Sequence, residues 1–244
     1  MEIYDDKSFF DNYHSLRQNP DNYNDNFEHP YIMELVGEVK GLDVLDVGCG
    51  YGVTCADLMA RGAKAVHGID VSARMIEHAK KTNGRNGITY EVRGAEDIGE
   101  INKSFDVAVS SLALHYVKDL GKVFSAIHGA LRTGGRLVFS VEHPIYTATL
   151  GNTELWITDG KGKKIGFAID NYANEGVRHI VWLDKEITKY HRTVSSFVRL
   201  LCESGFMIEG LYEPCPPPAL RERIAEMEKE VHRPPYLFIS AKKL

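Results

Sequence analysis

Val44-Leu45-Asp46-Val47-Gly48-Cys49-Gly50-Tyr51-Gly52 is a short apolar run that ends in three alternating glycines. A run of this length closed by glycine predicts a buried strand. Val53, Ala56 and Met59 then recur on one helical face. The stretch therefore reads as strand, tight turn, helix. Glycine lets a backbone turn sharply and approach a ligand. The first turn of the helix offers unpaired N–H groups to an anion. A dinucleotide site calls for G-x-G-x-x-G. Here the third glycine stands at 52 and Val occupies 53, so the spacing is G-x-G-x-G.

Outward from this turn the pattern repeats. Residues 65–70 form a second predicted strand ending in Asp70, followed by Ser72 as the cap of a helix to about Lys81. Strands are predicted at 88–92 and 105–110. Leu120, Val123, Phe124, Ile127 and Leu131 mark the next helix. Thr133-Gly134-Gly135 breaks it, and a fifth strand is predicted at 136–141. Alternating strands and helices with short connections predict a parallel sheet covered on both faces. A carboxylate at Asp70 can accept both hydroxyls of a ribose. Alternatively it is an acid favourable to a helix N-terminus.

The flanks are less regular. Residues 144–192 carry both tryptophans and glycines at 151, 160, 162 and 166. Structureless loops of this length are uncommon unless functional. We expect an insertion with short strands near 164–169 and 179–190. Val194, Phe197, Val198 and Leu201 resume a helix, 206–212 is a strand, and Pro214 to Pro218 is a break. Leu220, Ile224, Met227 and Val231 mark one further helix face, and 236–241 is the last strand. Upstream, a short helix and a loop precede a helix from about Pro30 to Val39, since proline suits a first helical turn.

Composition limits the rest. The 244 residues are 43% hydrophobic and 26% charged, ordinary for a globular chain and not for a disordered or coiled-coil one. Basic and acidic residues number 29 and 34, a net charge of −5, which argues against nucleic acid as the main partner. No apolar run of about 18 residues is present, so no membrane-spanning helix is expected. The opening Met1 to Asp6 has no basic or apolar signal region, so a cytoplasmic protein is expected. The four cysteines form no C-x-x-C and no zinc spacing, so reduced thiols and no metal are expected.

Five segments in order resemble class I S-adenosylmethionine-dependent methyltransferases, over roughly residues 40–142. They are Asp46 to Gly52; Gly68-Ile69-Asp70-Val71-Ser72 with Met75; Ala95-Glu96-Asp97-Ile98; Ser104 to Tyr116; and Leu131 to Leu137. The resemblance implies a Rossmann-like α/β fold, a seven-stranded mostly parallel sheet with helices on both faces, with the insertion after strand five. It implies S-adenosyl-L-methionine as cofactor. Gly48, Cys49 and Gly50 would pass around its methionine part, and Asp46 would orient the loop or meet the ammonium. Asp70 would hold the ribose. Val71 and Met75 would flank adenine, with Ala95 and Glu96 at its edge. Ser110 and Leu112 would line the pocket near the sulfonium. Many relatives carry an Asp where this chain has Gly94, so Glu96, Asp97 or backbone alone takes the adenine amino group. Ser8 to Arg17 resembles a lid helix, from which Tyr13 and Arg17 could close over the cofactor's carboxylate. The implied organisation is an N-terminal helical lid (1–40), a methyltransferase core (41–143 and 193–244) and a substrate-cap insertion (144–192).

The family has no universal catalytic residue, because its donor is already activated and the protein mainly aligns the reactants. A base is needed only for a protonated acceptor. Ligands of open α/β sheets sit beyond the C-terminal strand ends. His115-Tyr116, Glu142-His143-Pro144 with Tyr146, and Tyr190-His191-Arg192 fall there. Glu142, His143 and His191 are the candidate catalytic groups; loop structure, capping or an ion pair is the alternative for each. His115 is a cofactor contact or a packing residue. Trp156, Phe167, Tyr172 and Trp182 either wall a small-molecule pocket or fill the insertion's own core. The expected activity is methyl transfer to a small-molecule acceptor. The alternative is a non-catalytic S-adenosylmethionine-binding sensor or structural subunit. No feature of the sequence sets an oligomeric state.

Overall fold

A computed structural model describes residues 3–151 and 155–244. Residues 1–2 of the expected lid and 152–154 of the expected insertion lie outside the described residues. The N-terminal part holds α1 (Lys7–Gln18), a π-helical turn (Asn24–Glu28) and α2 (His29–Val36). The strand and helix series follows as β1 (Asp43–Val47), α3 (Val53–Ala60), β2 (Ala65–Asp70), α4 (Ala73–Asn83) and β3 (Ile88–Val92). It continues with β4 (Phe105–Ser110), α5 (Leu120–Ala130) and β5 (Leu131–Glu142). Between β5 and α7 (Val194–Glu203) lie a one-turn helix, α6 (Pro144–Thr147), and two hairpins. These pair β6 (Trp156–Thr158) with β7 (Lys164–Phe167), and β8 (Gly176–Trp182) with β9 (Lys185–His191). The chain closes with β10 (Phe206–Tyr212), α8 (Pro218–Arg223) and β11 (Tyr236–Lys243).

The main sheet has seven strands in the order β10-β11-β5-β4-β1-β2-β3. β1 to β5 run parallel, and β11 alone is reversed between β5 and β10. Strand order turns back between β1 and β4, which is where an α/β sheet opens a crevice at its C-terminal edge. Successive side chains of a strand point to opposite faces, so each strand feeds two cores. Leu45, Val47, Ile69 and Phe139 pack with Val123, Phe124 and Ile127 of α5 and Phe197 and Leu201 of α7. Val44, Val66, Val138 and Phe238 pack on the other face with Ile32, Met33 and Val36 of α2, Leu58 of α3 and Ile76 and Ala79 of α4. Each fully buried side chain of this kind contributes roughly 1.5–3 kcal/mol.

The cap read from sequence acts as expected. Ser72 caps α4 by accepting from the Met75 amide at 3.1 Å. Asp119 and Thr193 cap α5 and α7 in the same way.

Four details differ from the sequence reading. The helix expected from Pro30 to Val39 stops at Val36, because Gly37 adopts φ +69°. The stretch before it is wound as a π turn and is not open loop. The helix face expected through Val231 is broken at Ile224 into α8 and a 3-10 turn (Ala225–Val231); Leu220, Ile224 and Met227 are buried while Val231 is 45% exposed. Among its described residues the insertion carries four strands, and the second hairpin turns at Leu183 and Asp184, both at positive φ as a type I′ two-residue turn requires. No helix among the described residues is long and apolar enough to cross a membrane.

Candidate functional site

The loop from β1 to α3 is held by the end of β2. The amides of Gly48 and Cys49 donate to the Ile69 carbonyl at 2.8 and 2.9 Å. The Gly50 amide donates to Asp70 Oδ2 and the Ser72 amide to Oδ1, each at 2.9 Å. Gly48 has φ +74°, and a Cβ there would stand 2.3 Å from the Cβ of Ala113. Gly50 has φ +49°, and a Cβ there would meet nothing within 4 Å. One glycine is thus required by the protein's own packing, while the other borders open space.

That space is a cavity of about 310 Å³ at the crevice between β1 and β4. Of the expected cofactor residues, Tyr13, Asp46, Gly48, Cys49, Gly50, Asp70, Val71, Met75, Ala95, Glu96 and Leu112 line it. Ser110 is fully buried, and its hydroxyl donates to the Val47 carbonyl at 2.7 Å, tying β4 to β1. His115 lines a different, neighbouring cavity. Gly94 and Glu96 are at the rim of the first cavity; Asp97 is not among its lining residues.

The acids of the first cavity are unusual. Asp46 is buried and accepts from the Cys55 thiol at 3.1 Å. Burial pushes its carboxyl up to about 7, against the Cys55 bond and with nearby Asp70 and Glu28. Burial also raises Asp70, opposed by the Ser72 and Gly50 amides. Glu28, from the π turn, is 1% exposed and was not singled out from the sequence. Its carboxylate accepts from Ser111 at 2.9 and 3.0 Å and from Ser140. Burial pushes it up to about 7, against those serine bonds and the Arg17 charge. Arg17 also lines the cavity and pairs with Asp25 at 2.5 Å.

A second cavity of about 510 Å³ adjoins the first, and the two share Tyr4, Tyr13, Asn24, Leu112 and Tyr116 in their walls. Its far side comes from the end of β5, α6, the insertion hairpins, the loop before β11 and the start of β11: Glu142, Tyr146, Phe167, Arg178, Trp182, Lys189, Arg233 and Tyr236. Trp182 is also packed edge-on against Phe9 and Tyr13 of α1, at 5.6 and 5.9 Å between ring centres. Glu142 Oε1 accepts from Lys189 Nζ at 2.5 Å, and Oε2 is buried with no hydrogen-bond partner among the described residues. Burial raises the Glu142 carboxyl, but Lys189 and then His115 outweigh it and hold it below its ordinary value. His115 is 3% exposed, and its Nδ1 has no partner among the described residues. Burial pushes its imidazole down to about 4, against Glu142 and with Lys189 and Arg192, so the ring is neutral at pH 7.

The other two candidate catalytic groups are engaged elsewhere. Neither His143 nor His191 lines either cavity among the described residues. His143 caps α6 by accepting from the Ile145 amide at 3.0 Å, and its other nitrogen meets Glu213 at 2.7 Å. His191 lies between the Thr147 hydroxyl at 2.9 Å and the Tyr172 carbonyl at 2.9 Å. His143 ties the start of the insertion to the end of β10, and His191 braces the insertion internally, between α6 and the segment before β8. The insertion's aromatics divide likewise: Phe167 and Trp182 line the second cavity, whereas Trp156 packs on Phe167 and Tyr172 packs on His191.

The geometry fits the sulfonium nucleoside expected from sequence. The open Cβ position at Gly50 leaves room beside the loop. The Asp70 oxygens each use one lone pair on backbone and keep another for a hydroxyl donor. Comparison with known proteins agrees. A methyltransferase domain family matches residues 45–139. An S-adenosylmethionine-dependent methyltransferase of Mesorhizobium loti is 40% identical, with 88% of this chain and 97% of that one aligned at a TM-score of 0.80. An uncharacterized Haemophilus influenzae protein is 34% identical over 100% of this chain and 98% of its own length. This chain belongs to the class I S-adenosylmethionine-dependent methyltransferases, whose methyl donor is S-adenosyl-L-methionine. A ubiquinone biosynthesis O-methyltransferase of Neisseria meningitidis matches at 32% over only 42% of this chain and 45% of its own length.

Proposed function

We propose that this methyltransferase acts on a small-molecule acceptor held in the second cavity. The carrying observation is the shared wall: an acceptor-sized, aromatic-lined space opens beside the cofactor-sized one at Tyr4, Tyr13, Leu112 and Tyr116. When bound, S-adenosylmethionine supplies a methyl group on a sulfonium, already activated for in-line displacement. In this reading Asp70 takes the ribose hydroxyls, and Val71 and Met75 flank adenine. Arg17 pairs with the cofactor's carboxylate, and Asp46 and Glu28 receive its ammonium. Helix α1 with Tyr13 serves as the lid of residues 1–40, and residues 144–192 serve as the cap over the core formed by 41–143 and 193–244.

The protein's chemical contribution is alignment and proton removal. Holding two reactants across one wall supplies most of what an activated donor needs. His115 lines the acceptor cavity and keeps a ring nitrogen without a partner among the described residues, so it is the group placed to take a proton from the acceptor, although burial, holding its imidazole at about 4, makes it a weak base. Glu142, ionised beside Lys189, opposes that burial and favours the imidazolium. His143 and His191 hold the cap in place.

S-adenosylhomocysteine titration of the purified protein tests the cofactor half. Saturable thermal stabilisation is expected, and folded protein that shows none removes the reading. An acceptor panel followed by conversion of S-adenosylmethionine to S-adenosylhomocysteine tests the transfer half. Binding with no turnover across a broad panel would leave the sensor alternative.

A further inference from the structure

We propose that the acceptor is a small aromatic carboxylic acid, anchored by its carboxylate on Arg233. This rests on reading the second cavity as the acceptor site. Three cations line that cavity: Arg178, Lys189 and Arg233. Arg178 is matched, donating to the carbonyls of Ala148, Asn174 and Val177. Lys189 is matched by Glu142. Arg233 is 5% exposed, yet its Nε and Nη1 have no hydrogen-bond partner among the described residues. Glu230 forms a buried ion pair with it, Oε2 standing 3.6 Å from Nε and beyond hydrogen-bond reach, so the charge is partly offset while the N–H groups stay unsatisfied.

A buried guanidinium with unsatisfied N–H groups is costly. The protein offers it ring faces instead: Tyr146 at 4.4 Å, Phe167 at 4.6 Å and Trp156 at 4.7 Å from the guanidinium carbon. These rings stabilise the charge but satisfy no donor. They also orient the planar fork, which matches a carboxylate in two-point geometry. Arg233 carries a single positive charge, part of which Glu230 already offsets, so a singly charged carboxylate suits the place better than a doubly charged phosphate. Tyr146, Phe167, Trp182 and Tyr236 around the same space suit a flat apolar body. Arg233 is outside the wall shared with the cofactor cavity, so the anchored carboxylate and the methylated atom are different groups of one molecule.

The test uses the full chain saturated with S-adenosylhomocysteine. Benzoate, phenylacetate, 3-phenylpropionate and 2-naphthoate are titrated calorimetrically beside their primary amides and benzenephosphonate. At least one acid is expected to bind at least about tenfold tighter than its amide. That preference should vanish in Arg233→Gln and persist in part in Arg233→Lys, with S-adenosylhomocysteine affinity unchanged in both. Carboxyl-13C NMR of the bound acid needs no variant: its titration should lie below that of the free acid. Equal binding of acid and amide, a preference that survives Arg233→Gln, no binding by any acid, binding of the phosphonate alone, or a bound acid titrating at or above its free value would each overturn the proposal. Absence of S-adenosylhomocysteine binding in folded wild type would instead overturn the reading of the site as a whole.

Discussion

The two cavities share a wall and are built differently. Apart from Tyr4, Tyr13, Arg17, Asn24, Glu28 and His29 of the N-terminal part, the first is lined from short stretches at the C-terminal ends of neighbouring parallel strands: within 46–54 at β1, 70–75 at β2, 93–96 after β3 and 111–117 after β4. Its shape comes largely from backbone, as where Gly50 donates to Asp70 and Gly48 packs on Ala113. The second gathers side chains from positions as separated as Tyr4, Glu142, Arg178, Lys189 and Arg233. Its shape depends on how α1, the hairpins and the loop before β11 dock on the sheet. A backbone-built crevice serves one invariant ligand, whereas a wall of side chains on docked segments can be changed residue by residue without disturbing the sheet.

That contrast can be broken at either cavity. The largest effect is expected at the second one. Lys189→Ala leaves Glu142 buried without its partner and should lower stability by about 3–5 kcal/mol. Urea unfolding checks it, and the remaining folded protein should still bind S-adenosylhomocysteine. At the first cavity the opposite pattern is expected. Gly50→Val meets no protein atom within 4 Å of its Cβ, so it should cost only the roughly 1–2 kcal/mol of a left-handed backbone. It should weaken S-adenosylhomocysteine by about 100-fold or more, because the side chain would project into ligand space. Normal affinity in that variant would locate the ligand elsewhere. Asp70→Ala should weaken the same titration by roughly 1.5–3 kcal/mol, and unchanged affinity would separate Asp70 from the ribose.

Two smaller effects sharpen the comparison. Burial raises Glu28 to about 7, so the folded state holds its proton where the unfolded chain has released it. Its contribution is fully present below the ordinary carboxylate range and is lost as pH rises toward and through 7. Ligand-free wild type measured against Glu28→Gln should therefore lose relative stability between about pH 4.5 and pH 7.5. A flat difference would mean that Glu28 is ionised throughout. Smallest of all, His143→Asn keeps an N-cap acceptor for α6 and should cost below about 1 kcal/mol, with turnover retained. Loss of turnover at unchanged stability would return His143 to the chemistry.

Legibility follows the same boundary. The glycine turn and Asp70 were readable because each sits at a strand end, and the sheet carries those ends to one edge. The resemblance to known methyltransferases pointed to Val71, Met75, Ala95 and Glu96, which line the first cavity. It also pointed to Ser110, whose hydroxyl instead donates to Val47. Glu28 escaped because its burial depends on a π turn that no periodicity announces. His143 and His191 looked like chemistry because they follow strands; the docking of α6 and of the second hairpin directs their nitrogens to Ile145, Glu213, Thr147 and Tyr172 instead. Arg233 carries no local signal, since what distinguishes it is the company of three rings from two separate segments.

Alternating apolar periods and glycine positions were enough, taken alone, to predict the parallel sheet and its crevice, because hydrogen-bonded strands convert sequence spacing directly into position; the ligand type came from the resemblance of five ordered segments to a known family. Which acids are buried, which imidazoles remain available and which buried cation keeps N–H groups without a hydrogen bond were decided only when distant segments packed together. Burial and pairing are properties of a neighbourhood, and the residues of that neighbourhood are far apart along the chain.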